Sequence, residues 1–126
     1  MSIQKITLLA GATLGALGVM IGAFGAHAWR ASLEAQQRME TFETAVKYQF
    51  YHALALLLVG VLMYNFHHRL LKYVSWSMII GILIFSGSLY VLCWTQNAKW
   101  GAVTPVGGVL LILGWGLLIT AIVRNL

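Results

Sequence analysis

Long uncharged stretches alternate with short charged ones along this chain. The uncharged, mainly apolar stretches occupy residues 6–29, 48–68, 73–94 and 103–123. Each is long enough to cross a bilayer core of about 30 Å as a helix, which takes about 20 residues. Backbone groups in lipid must find partners within the protein, and no stretch shows the polar–apolar alternation of a barrel strand. The pattern therefore predicts an all-α integral membrane protein, a single domain built as an antiparallel bundle of four transmembrane helices.

The connections between the spans indicate how the bundle is arranged. Short links after the second and third spans require antiparallel neighbours. The first connection, residues 30–47, is longer and mixes charged residues with Leu33, Met39, Phe42 and Val46. This mixture predicts an amphipathic segment at the membrane interface, in helical form and continuous with the second span. The alternative is a solvated linker.

Composition excludes several classes of protein. Of the 126 residues, 60% are hydrophobic and only 9% are charged, so too few charges exist to cover a water-facing surface, and disorder is equally excluded. The net charge of +5 comes from isolated Lys and Arg residues, which give no footprint for nucleic acid. Cys93 is the single cysteine, so neither an internal disulfide nor a cysteine-based metal site is predicted.

The basic residues give a weak indication of orientation. One end of the predicted bundle carries Lys5, Arg69, Lys72 and Arg124, and the other carries Arg30, Arg38, Lys47 and Lys99. The two ends are therefore equal unless Lys47 lies within a helix, in which case the first end is the more basic. Cytoplasmic loops carry the excess of Lys and Arg, so we predict a multi-pass membrane protein with both termini in the cytoplasm.

Glycines recur along the first span in steps of four and three residues. This spacing places them on one helical face, and it predicts close packing, because helices in lipid associate across small residues. The face consists of Gly11, Gly15, Gly18, Gly22 and Gly25. Weaker small-residue faces are Ser77, Gly81 and Ser88 on the third span and Gly107 and Gly114 on the fourth. The glycine face serves either as a contact within the four-helix monomer or as a dimerisation seam.

Polar residues collect in the half of the bilayer near the first and third connections. The cluster consists of His27, Tyr48, Gln49, His52, Ser86, Ser88, Tyr90 and Thr104. Such side chains are expected to face the bundle interior and to form hydrogen bonds there. Three interpretations of the cluster are open. It is a network that holds the helices together, a pocket for a small ligand or lipid headgroup, or a haem site between His27 and His52. The pair His67-His68 is interpreted as interfacial.

None of the four predicted spans contains an acidic residue. Glu34, Glu40 and Glu43, the complete set of acids, all fall in the first connection. A Ser-His-acid triad requires a carboxylate, and proton-coupled transport usually places an ionisable group at mid-membrane. The sequence therefore predicts no catalytic residues, no metal site and no cofactor.

Four segments together resemble one known membrane family. They read GAFGAHA at residues 22–28, FETAVKYQFYHA at 42–53, FSGSLY at 85–90, and VTPVGG at 103–108, which is followed by Gly114-Trp115. In this order and spacing they are similar to domain of unknown function family 423, which includes bacterial inner-membrane proteins and the eukaryotic transmembrane protein 256. The resemblance implies a plasma-membrane protein with several helices. It implies no activity and no catalytic residues.

The small size, the glycine faces and the lack of charged chemistry in the spans favour a non-enzymatic protein. We expect it to contact membrane lipids and to act as an accessory or assembly partner of a membrane complex, or as a homo-oligomer. The alternative is an oligomeric transporter or binding protein for a small molecule or lipid, which uses the polar cluster. A more remote alternative is a haem-binding redox protein.

Overall fold

A computed structural model describes residues 1–67 and 69–126 of the protein. Within them the chain is helical and forms no strand. The α-helices are α1 (Ile3–Ala26), α2 (Arg30–Ala35), α3 (Met39–Leu62), α4 (Leu70–Thr95) and α5 (Thr104–Asn125), and a 3₁₀ helix at Ala98–Ala102 precedes α5. Of these, α1, α3, α4 and α5 are long and apolar enough to cross a membrane, which agrees with the four predicted spans.

Hydrogen bonds between the long helices show that neighbours are antiparallel. Gln4, at the start of α1, donates to the carbonyl oxygen of Gly60, at the end of α3, over 2.9 Å. Ser86, in the second half of α4, donates to the carbonyl oxygen of Ala45, in the first half of α3. Helix α1 packs mainly against α3, and α5 packs mainly against α4. The bundle therefore has a central pair, α3 and α4, with one outer helix beside each.

The largest group of buried apolar side chains lies in the half of the bundle nearer the chain termini. Leu56 and Val59 from α3 meet Val74 and Met78 from α4, and Ala121 from α5 completes the group. All five are almost entirely shielded from solvent within the bundle. The predicted polar cluster occupies the other half, together with a smaller apolar group of Leu33, Phe42 and Cys93.

The helix bounds differ most from the predicted spans at the second span. Helix α3 begins at Met39 rather than at residue 48, so Lys47 lies inside it. It ends at Leu62 rather than at residue 68, because the backbone then closes into turns, with the amide of Tyr64 donating to the carbonyl of Val61. The prediction for the histidine pair can be followed only at His67, which is exposed, since residue 68 lies outside the described residues.

The first connection is helical in two pieces rather than one. Helix α2 buries Leu33 completely, while most of its other residues are exposed, so it is amphipathic as predicted. Gln37 then adopts a left-handed backbone conformation with φ 56°, which ends α2 and turns the chain into α3. Leu33 packs with Phe42 and Cys93 and thereby holds the connection against α3 and α4.

Three of the five glycines of α1 form its contact with α3. A Cβ atom on Gly11 would lie 2.9 Å from the carbonyl oxygen of Ala53, and one on Gly18 would lie 2.9 Å from Cε2 of Phe50. A Cβ on Gly25 would overlap the ring of Phe42. These glycines therefore allow the two helices to approach more closely than any side chain would permit.

The other two glycines depart from the predicted face. A Cβ atom on Gly15 would meet no atom of another helix within 4 Å. A Cβ atom on Gly22 would lie 3.5 Å from Val46, which is an ordinary van der Waals distance. A helix turns by about 100° per residue, so a step of four residues rotates Gly15 by about 40° from Gly11. That rotation carries Gly15 past the line of contact with α3.

A second close contact joins α4 to α5. A Cβ atom on Gly107 would lie 2.7 Å from the carbonyl oxygen of Gly81, and one on Gly114 would lie 2.9 Å from Cγ of Met78. Ser77 adds a 2.6 Å hydrogen bond to the carbonyl oxygen of Leu110. Small residues therefore form the α4–α5 contact as well as the α1–α3 contact.

The α1–α3 contact can be tested with a pair of matched substitutions. Gly18→Leu should lower the free energy of unfolding by about 1–3 kcal/mol, because the new side chain must displace the ring of Phe50. Gly15→Leu makes the same chemical change at a position with open space, so it should leave stability nearly unchanged. The measurement is thermal unfolding in detergent micelles. An equal loss in both variants would contradict the described contact.

Candidate functional site

Gln49 lies at the centre of the predicted polar cluster and links three helices. Its side chain is 3% exposed. The amide nitrogen donates to the carbonyl oxygen of Leu14 in α1 over 2.8 Å, and the amide oxygen accepts a 2.6 Å hydrogen bond from the hydroxyl of Tyr90 in α4. One side chain on α3 therefore connects α1 to α4 in the apolar interior.

His52 lies on the side of α3 that faces α5. The indole N–H of Trp115 donates to Nε2 of His52 over 3.1 Å, so this nitrogen carries no proton. The proton of the neutral ring is then on Nδ1, which lies 2.8 Å from the carbonyl oxygen of Tyr48 and donates to it. Both ring nitrogens are used, and His52 joins α3 to α5.

The remaining hydroxyl groups of the cluster form two further links. Ser86 donates to the carbonyl oxygen of Ala45 over 2.7 Å and is 2% exposed. The hydroxyl oxygens of Ser88 and Thr104 lie 2.6 Å apart and connect α4 to the start of α5. Ser88 also donates to the carbonyl oxygen of Phe85, so these hydroxyl groups have hydrogen-bond partners within the bundle, as polar groups in lipid require.

Two members of the predicted cluster do not share this interior. His27 is exposed at the end of α1. Tyr48 is 40% exposed, and its ring packs against Phe85 with centroids 4.8 Å apart. Tyr48 contributes its backbone carbonyl to His52 rather than its hydroxyl. The structure thus brings together Gln49, His52, Ser86, Ser88, Tyr90 and Thr104 as separate interhelical bonds and leaves the side chain of His27 outside.

The two histidines of the predicted haem site are not arranged to share a haem. The end of α1 lies near Phe42, which Gly25 contacts, whereas His52 follows Phe42 by almost three turns of α3. At about 1.5 Å per residue, this places His52 about 15 Å further along the bundle axis. His52 also uses both ring nitrogens in hydrogen bonds. Among the described residues, no group of three His, Cys, Asp or Glu side chains could hold a metal ion.

A lateral groove between α1 and α4 reaches the polar cluster. Its inner part has a volume of about 150 Å³ and contains Leu14, Gln49 and Tyr90 among its walls. It shares Ile21 and Tyr90 with an outer part of about 350 Å³, which is apolar and includes Trp94. At its inner end the hydroxyl of Tyr90 donates to the amide oxygen of Gln49. These two polar groups are therefore already hydrogen-bonded to each other where they line the groove.

Several interhelical polar contacts were not predicted. In the half of the bundle nearer the termini, the hydroxyl oxygens of Thr7 and Ser75 lie 2.6 Å apart and are fully buried. The sequence offers a signal for this pair, since both are polar residues within apolar stretches at matching depth. Trp115 offers none, because interfacial aromatic residues are common in membrane proteins and only the rotation of α5 turns its N–H toward His52.

Comparison with known proteins identifies the family. The model of the family described as a protein of unknown function, DUF423, matches residues 21–108, more than half of the chain. The chain belongs to this family. This confirms the resemblance drawn from the four sequence segments, and all eight residues of the predicted polar cluster lie within the matched range. No solved structure matches the chain.

Relatives from distant bacteria extend over nearly the whole chain. A UPF0382 membrane protein of Staphylococcus haemolyticus is 40% identical over 92% of this chain and 93% of its own length. The UPF0382 membrane protein YwdK of Bacillus subtilis is 37% identical over 98% and 100% of the two lengths. The UPF0382 inner membrane protein YgdD of Escherichia coli is 36% identical over 96% and 92%. The DUF423 chain described here is therefore a small multi-helix membrane protein.

The Gln49–Tyr90 bond in this DUF423 protein can be tested by removing one hydroxyl group. Tyr90→Phe should lower the free energy of unfolding by about 0.6 kcal/mol, the average for an interhelical hydrogen bond in a membrane protein. Tyr48→Phe is the matched control, because the Tyr48 hydroxyl makes none of the hydrogen bonds found in the described residues. Unfolding in detergent measures both. A loss in Tyr48→Phe that equals the loss in Tyr90→Phe would contradict the assignment.

Proposed function

We propose that this chain is a non-enzymatic membrane protein that acts by binding another membrane-spanning helix. The contact surface is the outer face of α1, defined by Gly15, Ala16, Val19, Gly22 and Ala23. The chain then serves as an assembly partner, either of a second copy of itself or of a different membrane protein.

The composition of the outer face supports this proposal. Helix α1 buries only Thr7, Gly11, Gly18 and Gly25, so most of its surface is left open. A helix surface that meets only lipid gains nothing from small side chains, whereas a helix–helix contact does. The outer face of α1 displays Ala16 and Ala23, with Gly15 and Gly22 along its edge.

The other outer helix provides an internal comparison. The open surface of α5 carries bulky aliphatic side chains, as expected for contact with lipid tails. These are Val106, Val109, Ile112, Leu113, Ile119 and Val123. Bulky side chains such as Leu9 and Met20 are also exposed on α1, and Gly116 is open on α5. The difference between the two helices is therefore the grouping of Gly15, Ala16, Gly22 and Ala23 on one face of α1.

The polar cluster supports a structural rather than a catalytic or transport role. Among the described residues, every buried side-chain nitrogen or oxygen has a hydrogen-bond partner within the protein. A transporter or an enzyme needs groups that are free to bind substrate or transfer protons. His52 uses both ring nitrogens in hydrogen bonds, and the carboxylates of Glu34, Glu40 and Glu43 are exposed within the first connection.

The distribution of basic residues supports cytoplasmic termini. Lys47 lies about two turns inside α3, whereas Lys5, Lys72 and Arg124 lie in the first or last turn of their helices. With Arg69, the end that holds both termini therefore carries four basic residues near the ends of its helices, and the opposite end carries three. Cytoplasmic segments are the richer in Lys and Arg. The proposed partner therefore meets α1 with the amino end of α1 on the cytoplasmic side.

The orientation is tested by reporter fusions. A reporter active only in the cytoplasm should be active when fused after Leu126 and inactive when inserted next to Gln36, in the first connection. The reverse pattern would show that the bundle is inserted the other way, and equal activity at both sites would show dual insertion.

Helix association is tested by cross-linking in native membranes. In a Cys93→Ala background, Ala16→Cys labelled with a thiol-reactive photo-cross-linker should form a cross-linked species on illumination, because position 16 lies within the proposed contact. The mass of that species distinguishes a second copy from a different protein. The control Ile112→Cys, on the lipid-facing side of α5, should form none.

A matched pair of bulky substitutions completes this test. Gly15→Leu should reduce the cross-linked or co-purified species several-fold and leave the melting temperature of the isolated chain unchanged. Gly116→Leu introduces the same side chain on α5, where the glycine also has open space around it, and should leave association unchanged. The proposal fails if the two variants associate equally well and Ala16→Cys yields no cross-link.

A further inference from the structure

The end of the bundle that holds both chain termini is basic and lacks acidic side chains. Lys5, Arg69, Lys72 and Arg124 lie there. Every Asp or Glu of the chain lies in α2 or in the first turns of α3, at the opposite end.

A cavity of about 480 Å³ opens at this end between the start of α1 and the start of α4. Its rim carries Arg69 and Lys72 together with the polar side chains of Ser2 and Gln4, and its floor is apolar and includes Phe66. The hydroxyl oxygen of Ser2 accepts a bond from the amide of Lys5, so its proton remains available to a further acceptor. Gln4 gives one N–H to the carbonyl of Gly60 and retains a second. The rim is thus a set of hydrogen-bond donors.

The cations of this cavity have no anionic partner in the described part of the chain. The ion pair among the described residues joins Arg30 to Glu34, at the opposite end of the bundle. No side chain caps the start of α4, whose amide groups carry a partial positive charge toward the same end. Helix α3 ends nearby and contributes a partial negative charge, but the formal charges of Arg69 and Lys72 exceed it.

A second groove of about 480 Å³ continues from the same rim along the opposite side of α1. It shares Ser2 and Gln4 with the first cavity, and Lys5 lies at its polar end. Below them it is lined by apolar side chains that include Leu8 and Leu57, and it therefore points into the hydrocarbon layer. Together the two grooves provide basic side chains and hydrogen-bond donors at one end, and an apolar track, the surface lined by Leu8 and Leu57, below them.

We propose that this site binds an anionic phospholipid. The phosphate group lies at the part of the rim that both grooves share, Ser2 and Gln4, with Arg69 and Lys72 on one side of it and Lys5 on the other. One acyl chain follows the groove past Leu8 and Leu57. Charge complementarity selects an anionic headgroup, and the apolar track favours a lipid over a soluble phosphate. This site is separate from the outer face of α1 and does not depend on the proposed helix partner.

The test uses the full chain in dodecylmaltoside with added dioleoylphosphatidylglycerol or dioleoylphosphatidylcholine. Native mass spectrometry counts bound lipid, and thermal unfolding reports its effect on stability. The phosphatidylglycerol should bind more tightly and raise the melting temperature. Arg69→Gln and Lys72→Gln should each weaken its binding about fivefold, as expected for removing one basic residue near an anionic lipid surface. Far-UV circular dichroism confirms that each variant remains folded.

Three comparisons decide the outcome. Lys99→Gln removes an exposed basic residue at the opposite end and should leave lipid binding unchanged. Ala12→Trp fills the apolar groove and should weaken binding of phosphatidylglycerol. Glycerol phosphate, which has no acyl chain, should not stabilise the protein. Equal binding of the two lipids, an equal effect of Lys99→Gln and Lys72→Gln, or full stabilisation by glycerol phosphate would each overturn the proposal.

Discussion

In a bilayer, no water is available to satisfy a buried polar group, and this constraint governs most of the structure. The helices satisfy their own backbone. The polar side chains between them then bond to one another or to carbonyl oxygens on the adjacent helix, as Gln49, His52 and Ser86 do. Because lipid offers helices no hydrophobic reason to associate, these bonds and close packing must supply the attraction. The same constraint explains why no buried side-chain polar atom among the described residues lacks a partner.

Close packing depends on where glycine occurs. Gly18 meets the ring of Phe50, and Gly107 meets the backbone of α4, so the α1–α3 and α4–α5 pairs each approach across residues without a side chain. The central pair, α3 and α4, combines a hydrogen bond from Ser86 with apolar contacts such as Leu56 against Met78. Helix α1 is held by few buried residues and groups Gly15, Ala16, Gly22 and Ala23 on its open side. The proposed contact with another helix rests on that grouping.

The two ends of the bundle differ in charge and in shape. The end with the first connection is covered by α2, held down by Leu33, and carries all three acidic residues. The end with the termini is basic and opens into grooves on both sides of α1. Helix α1 therefore carries the proposed contact with lipid headgroups at its start and the proposed contact with a second helix along its middle. Both proposals place the interactions of this protein on its least buried helix.

The number of spanning helices, their antiparallel order and the depth of the polar residues could be predicted from the sequence, because each of these depends only on hydropathy and distance along the chain. Gln49 and Tyr90 could be assigned to one half of the bilayer for this reason. The sequence did not determine the rotation of each helix about its axis. Gly15 and Gly18 look equivalent in the repeat, yet only Gly18 meets α3. Likewise Trp115 reaches His52 because the α4–α5 contact at Gly107 and Gly114 sets how α5 is turned. Rotation is decided by the fit of surfaces that are distant in the chain, and only the tertiary structure contains that information.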